Sequence, residues 1–248
     1  MDQPVMPTQR LFEADAYQTT ARAEVVEVRD GGVILDRTVF YAQSGGQPGD
    51  QGTIQTPHGA SLTITDTQYL PGKQRISHSV DGDVLAQPGD AVELAVDWPR
   101  RRRLMRMHTA LHVLCGLVGA PVTGCAIHAD RARIDFDLET SPFSKEDLDA
   151  WLQEAIVSDY TVSAGWYDVS ELAALDAEPW SVKPPAAQDG SIRVVRIQGL
   201  DAQPCGGTHV AATGELTGIH VSRIQKKSRH NRRITILDSD GEPPANAA

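Results

Sequence analysis

Asp97-Trp98-Pro99-Arg100-Arg101-Arg102-Arg103-Leu104-Met105-Arg106-Met107-His108-Thr109-Ala110-Leu111-His112-Val113-Leu114 is where the character of this 248-residue chain changes. Aspartate is a good helix N-cap and proline suits a first helical turn, so a helix is predicted to begin here and to run to about Leu117. Leu104, His108, Leu111 and Cys115 mark one stripe of that helix, with His112 beside them. Upstream the chain reads as β. Ala23–Val28, Gly32–Leu35, Ser61–Ile64 and Ala91–Val96 are short, β-branched runs divided by turn residues such as Asp30-Gly31-Gly32 and Asp81-Gly82-Asp83. Many short strands with turns between them suggest a small barrel.

Downstream, helix and strand signals mix. Ser144 and Asp147 form a capping box for a helix from Lys145 to about Ser158, with Leu148, Leu152, Ala155 and Ile156 as its buried face. Strands are predicted at Ala132–Phe136, Ser191–Ile197, Gly218–Val221 and Arg233–Leu237. The expected class is therefore α+β: a small β-barrel over residues 1–97, a two-layer α+β domain with an antiparallel sheet over 98–239, and a disordered tail over 240–248.

The predicted helix carries the first half of a chemical signal. His108 and His112 are spaced i, i+4, so both imidazoles leave one helix face. The second half, Cys205-Gly206-Gly207-Thr208-His209, has the same gap closed by two glycines, which suggests a tight loop folding a thiolate and an imidazole toward one point. Together they are a Cys/His₃ set, close to the combinations zinc takes in a tetrahedral shell. Zinc is preferred over iron or cobalt on ligand softness. A turn with a buried thiol is the plainer reading of the second run. Cys115, one helical turn beyond His112, is a rival ligand or a core residue. Thr109 stands where a zinc protease would carry its glutamate base, which counts against that class. The glycine-rich run Thr38–Gly52 has no lysine and no Walker spacing, which argues against a nucleotide phosphate cradle.

The formal net charge of −10 argues against a generic nucleic-acid coat, but the sign is segregated. Arg100, Arg101, Arg102, Arg103 and Arg106 form one basic cluster, and Arg223, Lys226, Lys227, Arg229, Arg232 and Arg233 form another, neither containing an acid. Such clusters permit a local surface for a polyanion. Three cysteines without disulfide spacing, no signal-peptide pattern and no membrane-length apolar run lead us to expect a cytoplasmic protein with reduced thiols.

Taken together, TVFYAQSGGQPGDQG (38–52), DWPRRRRLMRMHTALHVL (97–114), RARIDFDL (131–138), IRVVRIQGLDAQPCGGTHV (192–210) and TGELTGIHVSRIQKKSRHNRRITIL (213–237) resemble the freestanding alanyl-tRNA editing proteins, the AlaX family, over most of the chain. The N-terminal glycine-rich domain makes it similar to the longer members. Ser44 stands where some members carry a third glycine. The resemblance implies zinc held by His108, His112, Cys205 and His209. It implies hydrolysis of the ester joining serine, and glycine in some cases, to tRNA for alanine, with correct Ala-tRNA spared. It also implies that Gly45, Gly46 and Gln47 lean over the site and help to exclude alanine. Thr109, between the two helix ligands, is expected to contact the seryl hydroxyl, and the two basic clusters to contact tRNA phosphates. The competing expectations are editing of another mischarged tRNA, such as Ser-tRNA for threonine, and a non-catalytic zinc-stabilised RNA-binding module.

Overall fold

The computed structural model describes residues 6–175, 181, 185 and 187–239. The sequence-predicted tail at 240–248 lies outside these. The chain divides into two compact units: residues 1–44 with 48–102, and residues 45–47 with 103 onward.

The first unit is a closed antiparallel barrel. Its strands are β1 (Thr20–Arg29), β2 (Gly32–Leu35), β3 (Gly52–Gln55), β4 (Ser61–Tyr69), β5 (Ile76–Val80) and β6 (Ala91–Val96), in the order β1-β2-β5-β4-β3-β6. Period-2 alternation turns Leu62 and Ile64 of β4, and Val92, Leu94 and Val96 of β6, inward. There they join Val25, Val33, Leu35, Phe40 and Ile54 in one apolar core. Closure leaves no strand edge unpaired. Two barrel strands were not predicted from the sequence. β3 offers only Ile54 as an inward aliphatic, and β5 turns a histidine inward: His78 is fully buried, with Nδ1 3.0 Å from Val33 O and Nε2 2.8 Å from Thr38 Oγ1. A second buried polar group closes the unit. The Asp50 carboxylate accepts from Tyr41 N–H (2.6 Å) and from Arg101 Nε (2.7 Å), and Arg101 Nη2 also meets it.

The long helix α1 (Trp98–Val118) starts as predicted, with Asp97 Oδ1 accepting from Arg100 N–H at 3.1 Å. Its buried surface is wider than the sequence stripe: every residue from Leu104 to Cys115 is buried, so the helix is enclosed on all sides over that length. A helix buried all round belongs to a protein core. Its one buried arginine in the second unit, Arg106, is satisfied by Asp238 (2.5 Å) and by the carbonyls of Glu215 and Thr217.

After α1 come β7 (Val122–Ile127), β8 (Arg131–Asp137), α2 (Lys145–Val157), β9 (Val162–Asp168), β10 (Ser191–Ile197), β11 (Asp201–Pro204), β12 (Ile219–Ser228) and β13 (Asn231–Asp238). They form an antiparallel four-stranded sheet, β12-β13-β8-β7, and a three-stranded one, β9-β10-β11. The α+β class holds. Helix α2 has the predicted capping box and buries Leu148, Leu152, Ala155 and Ile156. It is tied to β12 by Val221 N–H to Asp149 (2.7 Å) and Gln153 to Ile219 O (2.9 Å). Strand β12 does not stop at Val221 as the apolar run suggested. It continues through the basic residues to Ser228, because pairing with β13 supplies the order that apolar alternation there does not. Among the described residues, no helix is long and apolar enough to cross a membrane.

Candidate metal centre

Helix spacing and a short loop bring four ligand types to one point. His108 and His112 leave the same face of α1, and Cys205 and His209 lie just beyond β11. One nitrogen or sulfur from each of the four lies within 4.8 Å of all the others. The three imidazole centroids are 4.3, 4.5 and 5.3 Å apart. Cys205 Sγ is 3.4 Å from His209 Nε2 and 3.6 Å from His108 Nε2. Cys115, the rival ligand, is buried and stands outside this group.

The loop closes because of what its glycines permit. A Cβ on Gly207 would lie 2.2 Å from His108 Cε1, so only glycine lets this backbone lie against the ring. From there its N–H faces Cys205 Sγ at 3.3 Å. Arg193 of β10, buried, clamps the loop by donating to the carbonyls of Cys205 (2.8 Å) and Gly207 (2.9 Å).

Every imidazole is held by its far nitrogen. His108 Nδ1 is 2.8 Å from Gln47 Oε1, His112 Nδ1 is 3.0 Å from Asp201 Oδ2, and His209 Nδ1 is 3.1 Å from Thr109 Oγ1. A carbonyl-type oxygen or a carboxylate only accepts, so Nδ1 carries the proton in the first two rings. Each of these rings therefore turns its Nε2, the nitrogen that would bind a metal, toward the sulfur. Such partners fix ring orientation and tautomer at metal sites. Burial pushes the Cys205 thiol up, but the imidazoles of His108, His112 and His209 around it hold it well below its usual range, so the sulfur is a thiolate. Burial works against a proton on His112, yet Cys205 and Asp201 raise it to about 9. Burial and the neighbouring His108 and His112 push His209 well below the ordinary histidine range.

The glycine-rich run contributes Gly45, Gly46 and Gln47 to this unit. Gly46 has φ +82°, and a Cβ there would lie 2.6 Å from Cys125 Sγ. Its carbonyl accepts from Ile127 N–H at 3.0 Å. Gln47 is fully buried, and besides His108 it bonds Thr208 through Nε2 to Oγ1 at 2.7 Å. Thr109 is also fully buried. Its Oγ1 faces His209 Nδ1 and receives Val210 N–H at 3.2 Å; its hydroxyl proton is available to another acceptor when His209 Nδ1 carries the ring proton.

Three residues of this centre went unnoticed in the sequence: Asp201, Gln203 and Arg193. Asp201 also accepts from Gln203 Nε2 at 2.8 Å. A signal for two of them was present, because Asp201, Gln203 and Cys205 alternate and so share one side of an extended segment. The basic clusters split. Arg101, Arg106 and Arg232 are buried, Arg101 on Asp50, Arg106 on Asp238 and Arg232 on the carbonyls of Ser228, Arg229 and Asn231. Arg102, Arg223, Lys226, Lys227 and Arg229 are exposed, while Arg100, Arg103 and Arg233 are half-buried.

The barrel and the end of the α+β unit each match, in sequence, a module of aminoacyl-tRNA synthetases. Residues 8–100 match the family described as tRNA synthetases class II (A), and residues 192–235 match the threonyl and alanyl tRNA synthetase second additional domain. The alanyl-tRNA editing protein AlaX-M of Methanosarcina barkeri is 35% identical over 250 residues, covering 93% of this chain and 100% of the relative. AlaX-M of Methanosarcina acetivorans is 36% identical, with the same coverage of both chains. AlaX-L of Pyrococcus horikoshii is 33% identical over 91% of this chain and 57% of its own length. The chain belongs to the alanyl-tRNA editing protein family, AlaX.

Proposed function

We propose that this chain is a zinc-dependent aminoacyl-tRNA deacylase that hydrolyses Ser-tRNA(Ala) in the cytoplasm while sparing Ala-tRNA(Ala). The observation that carries the reading is the convergence of His108, His112, Cys205 and His209, with each imidazole anchored at Nδ1. The donor set suits zinc. Bonds of about 2.0–2.3 Å in a tetrahedral shell put sulfur and nitrogen ligands roughly 3.5 Å apart, and the two S···N separations here are 3.4 and 3.6 Å. When bound, zinc supplies polarisation of the ester carbonyl or a water whose pKa falls toward ~7.

The remaining work falls to the chain itself. Serine exceeds alanine by one hydroxyl, which a pocket that binds alanine rejects poorly, so a second hydrolytic sieve is useful. A site built to hydrogen-bond that hydroxyl disfavours the analogue lacking it by up to ~10⁴–10⁵. Thr109 supplies the donor: with His209 Nδ1 and Val210 N–H on its lone pairs, its hydroxyl proton goes to the seryl oxygen. Gly45 and Gly46, without side chains, bring backbone close to the acyl group, and Gln47 joins them to His108. The anchors also rank the ligands. His112 leans on a carboxylate and His108 on an amide, but His209 leans on a hydroxyl, so His209 would be the least firmly held of the three imidazoles around a bound zinc. The exposed cations Arg102, Arg223, Lys226, Lys227 and Arg229, with half-buried Arg100, Arg103 and Arg233, provide phosphate contacts to tRNA.

The test is deacylation of Ser-tRNA(Ala) and Ala-tRNA(Ala) with and without a chelator. Serine release that stops on chelation and returns with zinc, with Ala-tRNA intact, is expected. Four protein ligands also suit a purely structural zinc; tRNA binding without turnover would establish that reading instead. Thr109→Val should lose the preference for Ser-tRNA over Ala-tRNA, and unchanged selectivity would refute the role given to Thr109.

A further inference from the structure

The sheet β12-β13-β8-β7 has one face that carries more positive charge than the acid on it pairs. Register places Arg223 of β12 opposite Thr235 of β13, Thr235 opposite Arg133 of β8, and Arg133 opposite Ala126 of β7. The neighbouring row on this face runs Gln225, Arg233, Asp135, Gly124. With Arg131 one step along β8, these rows wall a cavity of about 350 Å³ whose basic lining is His128, Arg131, Arg133, Arg223, Lys227 and Arg233. The inward positions between them, Ala132, Ile134, Ile234 and Ile236, are buried, so alternation forces the cations onto this side.

The acid on these rows is Asp135. It accepts from Arg233 through both oxygens (2.7 and 2.8 Å) and from Arg133 Nη1 (2.9 Å). Arg131, Arg223 and Lys227 have no acidic partner among the described residues. Like charges brought together on a sheet face are destabilising, and this chain has acids in excess elsewhere, with a net charge of −10. Neutral Thr235 between Arg223 and Arg133, and Asp135 beside Arg233, soften the repulsion without cancelling it. The cations lie on three strands, about 4.8 Å apart across the sheet and twice ~3.3 Å apart along it. That spread exceeds one phosphate and suits a chain of them.

The face reaches the ester site around the outermost strand, β7. Ile127 N–H of β7 donates to Gly46 O at 3.0 Å, and Cys125, which turns to the opposite face from Ala126, has its Sγ 3.3 Å from Gly45 O. Gln47, next in that loop, holds His108. We infer that this sheet face, through Arg131, Arg133, Arg223, Lys227 and Arg233, holds the phosphodiester backbone of the RNA strand whose acylated end enters the metal centre. The inference rests on the functional reading above and adds two arginines, Arg131 and Arg133, that lie outside both basic clusters of the sequence.

The experiment compares wild type, Arg131→Ala/Arg223→Ala/Lys227→Ala and a charge-matched control, Arg22→Ala/Arg29→Ala/Lys73→Ala, placed on the barrel. Two readouts are used: binding of uncharged tRNA(Ala) transcript across a salt series, and hydrolysis of seryl-adenosine, an ester without the RNA backbone. The triple variant is expected to bind at least tenfold more weakly. Its slope of log K against log salt should fall by about 2–3, at roughly 0.7–0.9 per phosphate contact. Its seryl-adenosine hydrolysis should equal wild type, and the control should match wild type in both. Unaltered affinity and slope in the triple variant would overturn the inference, as would an equal loss in the control. A wild type that hydrolyses neither seryl-adenosine nor, in the deacylation test above, Ser-tRNA(Ala) would reject the deacylase reading while leaving the binding comparison to decide this one.

Discussion

Asp201→Asn isolates the anchor of His112. The asparagine keeps the shape and an acceptor oxygen but removes the charge that faces His112 Nδ1 at 3.0 Å and Gln203 Nε2 at 2.8 Å, in a side chain with no solvent exposure. A hydrogen bond to a charged group contributes about 1.5–3 kcal/mol and a neutral one about 0.5–1.5. The difference, about 1–2 kcal/mol, is roughly a five- to thirtyfold change in an equilibrium constant. Mutations of partners behind metal-bound histidines span about 10–100-fold in metal affinity. We therefore expect the zinc Kd to rise about tenfold. Asp201→Ala should cost more, because it strands both the Gln203 amide and His112 Nδ1–H in the interior. The assay is competition for zinc against a chromophoric chelator, which needs no tRNA and no turnover. Zinc-dependent stabilisation against urea gives a second readout: at fixed excess zinc, a tenfold weaker Kd removes about 1.4 kcal/mol. Wild-type zinc affinity in Asp201→Asn would show that Asp201 does not orient His112 for a metal.

Two further predictions concern the barrel unit. Arg101→Ala leaves the buried Asp50 carboxylate without its counter-charge and should destabilise the unit by about 3–5 kcal/mol, read as a lower urea midpoint; a loss of RNA affinity with stability unchanged would contradict the buried placement. His78 is pushed down by burial to about 4, with the Val33 carbonyl acting weakly in the opposite direction. The unfolded chain takes the proton near 6.5, so stability is lost as pH falls from about 6.5 toward 4, amounting to about 2 kcal/mol between pH 7 and pH 5. His78→Gln should flatten that part of the pH–stability curve, and an equally steep variant would place the titration elsewhere.

Local signals were strongest where one element carried its own instructions. The α2 capping box needs only Ser144 and Asp147, and α1 needs Asp97 at its start; both helices begin where those residues place them. Strands β3, β5 and β11 were missed because each spends inward positions on glycine, histidine, aspartate or glutamine. Apolar alternation is silent at such positions, and the compensating partners, Val33 O, Thr38 or His112, are distant in the chain. The arginine clusters misled for the opposite reason. Four consecutive arginines in a helix point in different directions, and burial follows direction: Arg101 turns inward to Asp50 while Arg102 stays in solvent.

The order of residues alone therefore determined the α+β class, the two main helices and the four residues that cluster, since helix period, caps and the i, i+4 pair operate within a few residues. Tertiary structure decided which side chains stand behind those ligands, which arginines are consumed as internal counter-charges, and which cations line a common sheet face. Those outcomes depend on strand register and burial, and both come from pairing between segments that the sequence leaves a hundred residues or more apart, as Thr109 and His209 or Gln47 and Thr208 are.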